Sequence, residues 1–331
     1  MSVSVYSLPV LEEDGAVRLD RWLRRRFPHL GQGQVEKLIR TGQVRVDGAR
    51  AKASDRVSAG QMIRIPPFPQ SAPRGEAEAR VSAQDEKFVR SLVLHRDDHL
   101  IAINKPAGLA VQGGTKTARH LDALLDGLRF ESEHRPKLIH RLDRDTSGVL
   151  LLARHPAAAA ALGEAFRSRE TDKIYWAVTL GAPHPEQGEI RGWMKKAPGA
   201  RDGDRELMRA AEHGEREAVF AITDYATMAR AGGKTAWVAL KPLTGRTHQL
   251  RFHMAEIGCA IAGDPKYKTD RPMPGGLEPM LHLHARALRL PHPAGGVFSV
   301  TAPLPAHMKT AFELLGFSER DGRDPFEAFA R

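Results

Sequence analysis

Leu19, Trp22, Leu23 and Phe27 recur at the spacing of one helix face, with Arg21, Arg24 and Arg25 between them. A second helix is expected over Gln32–Arg40, where Val35, Leu38 and Ile39 form the apolar stripe and Gly42 ends the run. Short apolar runs at 44–46 and Met62–Ile65 predict strands, and Asp47-Gly48 predicts a tight turn. These elements make one small unit over 17–65, preceded by an N-terminal extension at 1–16. The pattern then breaks. Pro66, Pro67, Pro69 and Pro73 are followed by a polar, charged run, which reads as a linker over 66–88.

From 89 to 317 the pattern predicts one larger domain. Strands are expected at 92–94, 100–103, 137–142, 149–153, 173–180, 219–222, 236–241, 285–290 and 297–302. Helices are expected at 121–128, 156–169, 247–257 and 306–315. Many short strands and few evenly spaced helices indicate an α+β fold with a mixed sheet, not a doubly wound one. The last residues, 318–331, read as a loose tail. No internal repeat is present.

Composition narrows the class. The chain has 331 residues, 41% of them apolar, which suffices for a buried core. Its formal net charge is +10, and 17–65 carries ten arginines and two lysines against four acids, so that segment holds +8 of it. Such a balance points to a polyanion, nucleic acid first and an anionic membrane second. Cys259 stands alone, which excludes a disulfide-built scaffold and suits a reducing compartment. The apolar runs at 149–153 and 157–162 are far short of the roughly 20 residues that span a bilayer. The first residues lack a basic n-region, so no signal peptide is expected and the cytoplasm is the expected location.

Three segments could carry chemistry. In 138–153 an apolar strand runs into a turn rich in Asp, Thr, Ser and Gly, and a second strand leaves. Asp143 or Asp145 on that loop could be a catalytic carboxylate or could only satisfy turn amides. In 173–180, alternation puts Ile174, Trp176, Val178 and Leu180 on one face and Tyr175, Ala177 and Thr179 on the other. Tyr175 could stack on a base, or be a half-buried sheet aromatic. In 243–258, Gly245 marks a turn before a helix with Leu250, Met254 and Ile257 as its stripe. Arg246, His248 and Arg251 fall near the N-terminal half, either as an anion site or as a solvated basic face.

Other chemistries fit less well. Asp143-Arg-Asp145 also suits a Mg²⁺-dependent aspartyl-phosphate loop, but the later acids Asp202 and Asp204 read as a surface loop. His248, His253, His282 and His284 lack familiar zinc spacing, and hydrogen-bonded structural histidines are expected at the last three. Gly232-Gly-Lys-Thr235 resembles the end of a phosphate loop, but Met228 stands where its first glycine is required.

Taken jointly, the segments resemble the RluA-type, S4-domain-containing ribosomal RNA pseudouridine synthases. Asn104-Lys-Pro-Ala-Gly-Leu109 resembles the first motif of that family, and His140-Arg-Leu-Asp-Arg-Asp-Thr-Ser-Gly148 its catalytic motif. Lys173-Ile-Tyr175 resembles its tyrosine segment. Gly245-Arg-Thr-His-Gln-Leu-Arg251, followed by Gly263-Asp264 and Tyr267, resembles its third motif. Arg18-Leu-Asp20 and Leu38-Ile-Arg-Thr-Gly-Gln-Val-Arg-Val46 resemble an S4 RNA-binding domain. The likeness covers 17–65 and 92–315, with departures at Phe252, Cys259 and Lys268.

The resemblance implies a catalytic role for Asp143, with Arg251 paired to it and Tyr175 stacked on the uracil. It implies Arg141 in the vacated RNA stack, Leu250 lining an apolar pocket, Lys105 and Pro106 shaping the site wall mainly as structure, and Lys105, Arg246 and His248 as further substrate-binding residues. Arg24, Arg25, Arg26, Lys37, Arg40 and Arg45 would grip the RNA backbone. No cofactor or metal is implied, because the isomerisation oxidises nothing and adds no outside group. The implied partner is RNA, with 23S ribosomal RNA or pre-50S particles expected, no membrane, and a monomer. A non-catalytic S4-type RNA-binding or ribosome-assembly protein is the alternative.

Overall fold

The structure, a computed structural model, describes residues 6–27, 30–67, 81–113, 119–168, 170–197, 207–322 and 325–326. The chain divides into two compact units, residues 1–80 and 81–331.

In the first unit the helices Leu19–Arg26 and Gln32–Arg40 bury Leu19, Trp22, Leu23, Val35 and Ile39 against Val44, Ile63 and Ile65. Asp47 and Gly48 both take positive φ, and their turn joins Arg45–Val46 to Ala49–Arg50. The expected extension is not separate from this unit. Tyr6–Pro9 pairs antiparallel with Met62–Ile65, and Asp14 accepts a 2.9 Å hydrogen bond from the Trp22 indole. An unpaired sheet edge and a buried indole donor are each satisfied by this segment.

The expected linker is shorter than 66–88. Its stretch 68–80 lies outside the described residues, but helix Ala83–Ser91 occupies its end. Ser82 caps that helix by accepting from the Asp85 amide, Asp85 and Glu86 favour its first turn, and Val89 is buried. The tail is also partly docked. Glu319 pairs with Arg286 at 3.2 Å, and the Arg286 guanidinium lies 4.2 Å from the centroid of the Trp176 ring.

One sheet of eleven strands runs through the described residues of the second unit. Its main path is Met208–Ala211, Gln187–Lys196, Val219–Ala231, Thr235–Pro242, Asp172–Leu180, Leu283–Pro291, Ser147–Ala153, Leu100–Lys105 and Val93–Arg96. Lys137–Leu138 and Val297–Thr301 pair off that path. The fold is α+β, as the pattern indicated, and its sheet is largely antiparallel. The two-residue pairing of Ser147 and Gly148 with His284 and Ala285 is parallel. Gly148 has a φ of +111°, and a Cβ there would lie 2.2 Å from the Ala285 carbonyl oxygen, so the seam requires glycine.

Alternation along Asp172–Leu180 separates two cores. Ile174, Trp176, Val178 and Leu180 pack with Trp237, Met308 and Phe312, under helix Ala306–Leu315. Ala177 and the flanking Tyr175 pack instead with Leu240, Leu250, Met254 and Leu283.

Some expected elements differ. The strand foreseen at 137–142 pairs only at Lys137–Leu138, because the His140 imidazole, not a backbone group, takes the Leu151 amide at 3.0 Å. The last helix of the third chemical segment starts at Gln249, two residues late, because His248 takes a left-handed φ of 53°. Every residue from Gln249 to Met254 is buried, so this helix has no solvated basic face there.

Candidate active site

A cavity of about 990 Å³ opens where the 139–143 loop, Asp172–Leu180 and the 241–251 segment meet. Asp143, Tyr175, Leu250 and Arg251 all line it. Asp143 lies on the loop entering the Ser147/Gly148 seam, its side chain 29% exposed, and Thr146 donates its amide to the Asp143 carbonyl.

Arg251 is buried beneath it. Its Nη1 donates to Asp143 Oδ2 at 3.5 Å, a long contact. Its short bonds go elsewhere: Nε and Nη2 each reach one oxygen of Asp264 at 2.7 Å, as a two-pronged pair. The expected pairing of Arg251 with Asp143 is therefore secondary. Asp264 is the residue that sequence reasoning missed, although Gly263-Asp264 stood within the third motif. Gly263 has positive φ, with the Met280 carbonyl oxygen 1.8 Å from where a Cβ would be, so this tight passage delivers Asp264 to Arg251. The amides of Lys266 and Tyr267 also donate to Asp264.

Tyr175 is half-buried on the cavity wall. Burial first, and the Asp143 charge second, push its phenol well above the usual range, which keeps it protonated. His248 is held from behind. Its Nδ1 lies 3.1 Å from the Tyr267 hydroxyl, which accepts from the Met208 amide at 2.8 Å. Burial drives the Tyr267 phenol up to about 12, so it keeps its proton. Nε2 of His248 lies 3.9 Å from Asp143 Oδ2.

Lys105 corrects an expectation. It is fully buried, and its Nζ donates to the carbonyls of Pro106, Leu109 and Arg144, each at 2.9 Å. Those three bonds use all three ammonium hydrogens. Lys105 thus ties the 105–109 loop to the Asp143 loop from beneath, away from the cavity wall. Desolvation lowers its pKa to about 7, against the pull of Asp145 and Asp143. Gly108 and Arg144 reinforce the tie, the Gly108 amide donating to the Arg144 carbonyl and Arg144 Nε to the Gly108 carbonyl.

The histidines behave as structural groups. His253 bonds the Thr223 hydroxyl, His282 the Met280 carbonyl, and His284 the Ser147 hydroxyl. Among the described residues no group of three or more His, Cys, Asp or Glu could hold a metal ion. Asp202 and Asp204 lie outside the described residues.

Comparison with known proteins decides the family. The model described as RNA pseudouridylate synthase matches residues 99–256, and the S4 domain model matches 17–63. The chain is 37% identical over 272 residues to ribosomal large subunit pseudouridine synthase C of Rickettsia bellii (strain RML369-C), covering 81% of this chain and 88% of that one. It is 32% identical over 323 residues to the protein of the same name from Escherichia coli (strain K12), covering 94% and 97%. The solved structure of human RNA pseudouridylate synthase domain containing 4 matches with a TM-score of 0.58 at 32% identity, over 70% of this chain and 97% of that one. The chain belongs to the RNA pseudouridylate synthase family.

Membership in this isomerase family sets aside the phosphatase reading of Asp143-Arg-Asp145. In this pseudouridylate synthase Arg141 and Arg246 are exposed at the cavity, and Arg246 Nε donates to the Phe220 carbonyl at 3.1 Å. In the S4 unit Arg24, Arg25, Arg26, Lys37 and Arg40 are exposed on the two helices. Arg26 also lies 3.5 Å from Asp14. Arg45 differs from them: it is half-buried, with its guanidinium on the carbonyls of Gly42 and Gly48, so it holds the turn. No helix among the described residues is long and apolar enough to cross a membrane.

Proposed function

We propose that this protein converts uridine to pseudouridine in large-subunit ribosomal RNA, with Asp143 as the reacting carboxylate. One observation carries the reading: Asp143 faces the cavity, its carboxylate 3.5 Å from a buried guanidinium that another acid already fixes in place. Such an acid is oriented and still free to react. The substrate class comes from relatives named ribosomal large subunit pseudouridine synthase C.

The target uridine must leave its stack, at a cost of about a few kcal/mol. Arg141 takes the vacated place, and Tyr175 stacks on the uracil, a contact contributing roughly 1–3 kcal/mol. Leu250 supplies the apolar wall, while His248 and Arg246 offer donors. Asp143 then acts by one of two routes. It attacks C1′, forming a C1′–O bond as the N1–C1′ electron pair leaves with the uracil. Alternatively it takes the 2′ proton, and that C–H pair becomes the C1′=C2′ bond of a glycal as the same N1–C1′ pair leaves. The uracil anion turns and its C5 electron pair bonds to C1′: in the first route this breaks the C1′–O bond and frees the Asp143 carboxylate, and in the second Asp143 returns its proton to C2′, whose C1′=C2′ pair takes it and leaves C1′ open to C5. The C5 proton then goes to a base, and N1 takes up a proton. Atoms and electrons balance without an oxidant or an outside group.

The S4 unit adds salt-dependent grip on phosphates without reading much sequence. We read the enzyme as a cytoplasmic monomer acting on 23S ribosomal RNA or pre-50S particles.

Ribosomal RNA labelled with tritium at uridine C5 tests the reading. Wild type should release tritium, and Asp143→Asn should abolish release while still binding RNA. Full release by that variant would remove Asp143 from the chemistry. A pseudouridine map unchanged by deletion of the protein would favour a binding role without catalysis.

A further inference from the structure

The wall of the cavity beyond Asp143 and Tyr175 has no part in the chemistry above. Ile139, His140, Phe166, Thr171 and Lys173 line it there. Lys173 precedes Tyr175 by two residues on the same strand, so it shares the cavity face about 7 Å along. It is half-buried.

Lys105 and Lys173 differ sharply. Lys105 has its three hydrogens on three carbonyls. Among the described residues the Lys173 Nζ makes no hydrogen bond or close ion pair, and only the charge of the neighbouring Asp172 attracts it. The acid beside it, Asp172, is paired with Lys241 at 2.9 Å. His140 offers it nothing: its Nε2 accepts the Leu151 amide, its ring stacks on Phe166 at 4.7 Å, and burial keeps it neutral. Burial also lowers the Lys173 pKa, which marks a desolvated cation. Buried charges are ordinarily paired, and an unpaired one in a cavity calls for a partner that arrives with the ligand.

We propose that Lys173 is a phosphate-binding residue, whose ammonium takes the non-bridging oxygens of a phosphodiester beside the extruded uridine. This rests on the reading that an RNA uridine enters the cavity. A phosphodiester supplies both the negative charge and the several acceptor oxygens that three N–H donors require. Its place about 7 Å from Tyr175 suits the phosphate next to a base stacked on that ring. The His140 and Phe166 rings beside it present apolar faces to the ribose. One cation in the catalytic cavity thereby fixes the backbone on which the base turns, a task separate from the grip of the S4 unit.

The test compares the full-length wild type with Lys173→Met, Lys173→Gln and Lys173→Arg. The probe is an unmodified large-subunit ribosomal RNA transcript, with Kd measured across a potassium chloride series. The Met and Gln variants should bind about tenfold more weakly at low salt, and the slope of log Kd against log salt should flatten by about 0.7, the share of one single-strand phosphate. The Arg variant should restore both. Thermal melting separates this from a structural role, because removing an unpaired half-buried charge leaves the melting temperature equal or higher. An unchanged Kd and slope, a loss that Arg does not restore, or a melting temperature lowered by the Met and Gln changes would each overturn the proposal. Tritium release by wild type is scored separately, so failure of the catalytic reading and failure of the Lys173 assignment give different results.

Discussion

Arg251 gives two 2.7 Å bonds to Asp264 and one 3.5 Å contact to Asp143. The shorter pair fixes the guanidinium, and the longer contact leaves the Asp143 carboxylate uncommitted. Asp264 is thus a positioning residue that acts through Arg251. Asp264→Asn should lower stability by about 3–5 kcal/mol, since it leaves a buried cation without its charged partner. It should also lower kcat by about 100-fold, the scale of a misplaced reacting group. Urea unfolding and tritium release with the same RNA check both. Wild-type activity in this variant would make Asp264 a purely peripheral ligand of Arg251.

The buried histidines set a pH limit on the fold. Burial lowers His140 and His284 to about 3 and His253 and His282 to about 4. An unfolded imidazole titrates near about 6.5. Between those values the unfolded chain takes up protons that the folded chain refuses. The resulting stability is fully present above about pH 6.5 and is lost as pH falls toward 4. The urea midpoint of the larger unit should therefore be lower at pH 5 than at pH 7.5. A midpoint that held or rose on acidification would contradict the neutral assignment.

In the S4 unit the arginines divide into two kinds. Arg24, Arg25 and Arg40 are exposed, whereas Arg45 is occupied by two backbone carbonyls. Replacing Arg24, Arg25 and Arg40 together with Gln should weaken RNA binding and flatten its salt slope by about 2 to 3. Arg45→Gln should change the slope little and lower the melting temperature instead. Equal slope changes per residue in the two variants would show that Arg45 also reaches the RNA.

Much of the site was legible because its signals are local. Tyr175 and Ala177 face one core and Ile174 and Trp176 the other, as period-two alternation requires. The Asp143 loop announced itself as a polar turn between apolar runs. Asp264 did not, because its meaning lies in a partner 13 residues away and in the passage that Gly263 allows. Lys105 was placed on the wall because three carbonyls gathered from two loops leave no trace in a sequence. Gln187–Lys196 escaped notice because Gly188, Gly192 and its charges blur the strand pattern. The helix at Ala83–Ser91 was hidden in a charged run, where Ser82 and Val89 were the cues.

At the parallel seam, Ser147 and Gly148 meet His284 and Ala285, residues more than a hundred positions later in the chain. Contacts between such distant segments form late and slow folding. A nascent polypeptide lacking its last fifty residues therefore cannot complete the junction that follows the Asp143 loop. Competence to modify RNA should arise only near the end of synthesis, and C-terminal truncation just after Leu283 should silence the enzyme while leaving every residue that lines the cavity in place.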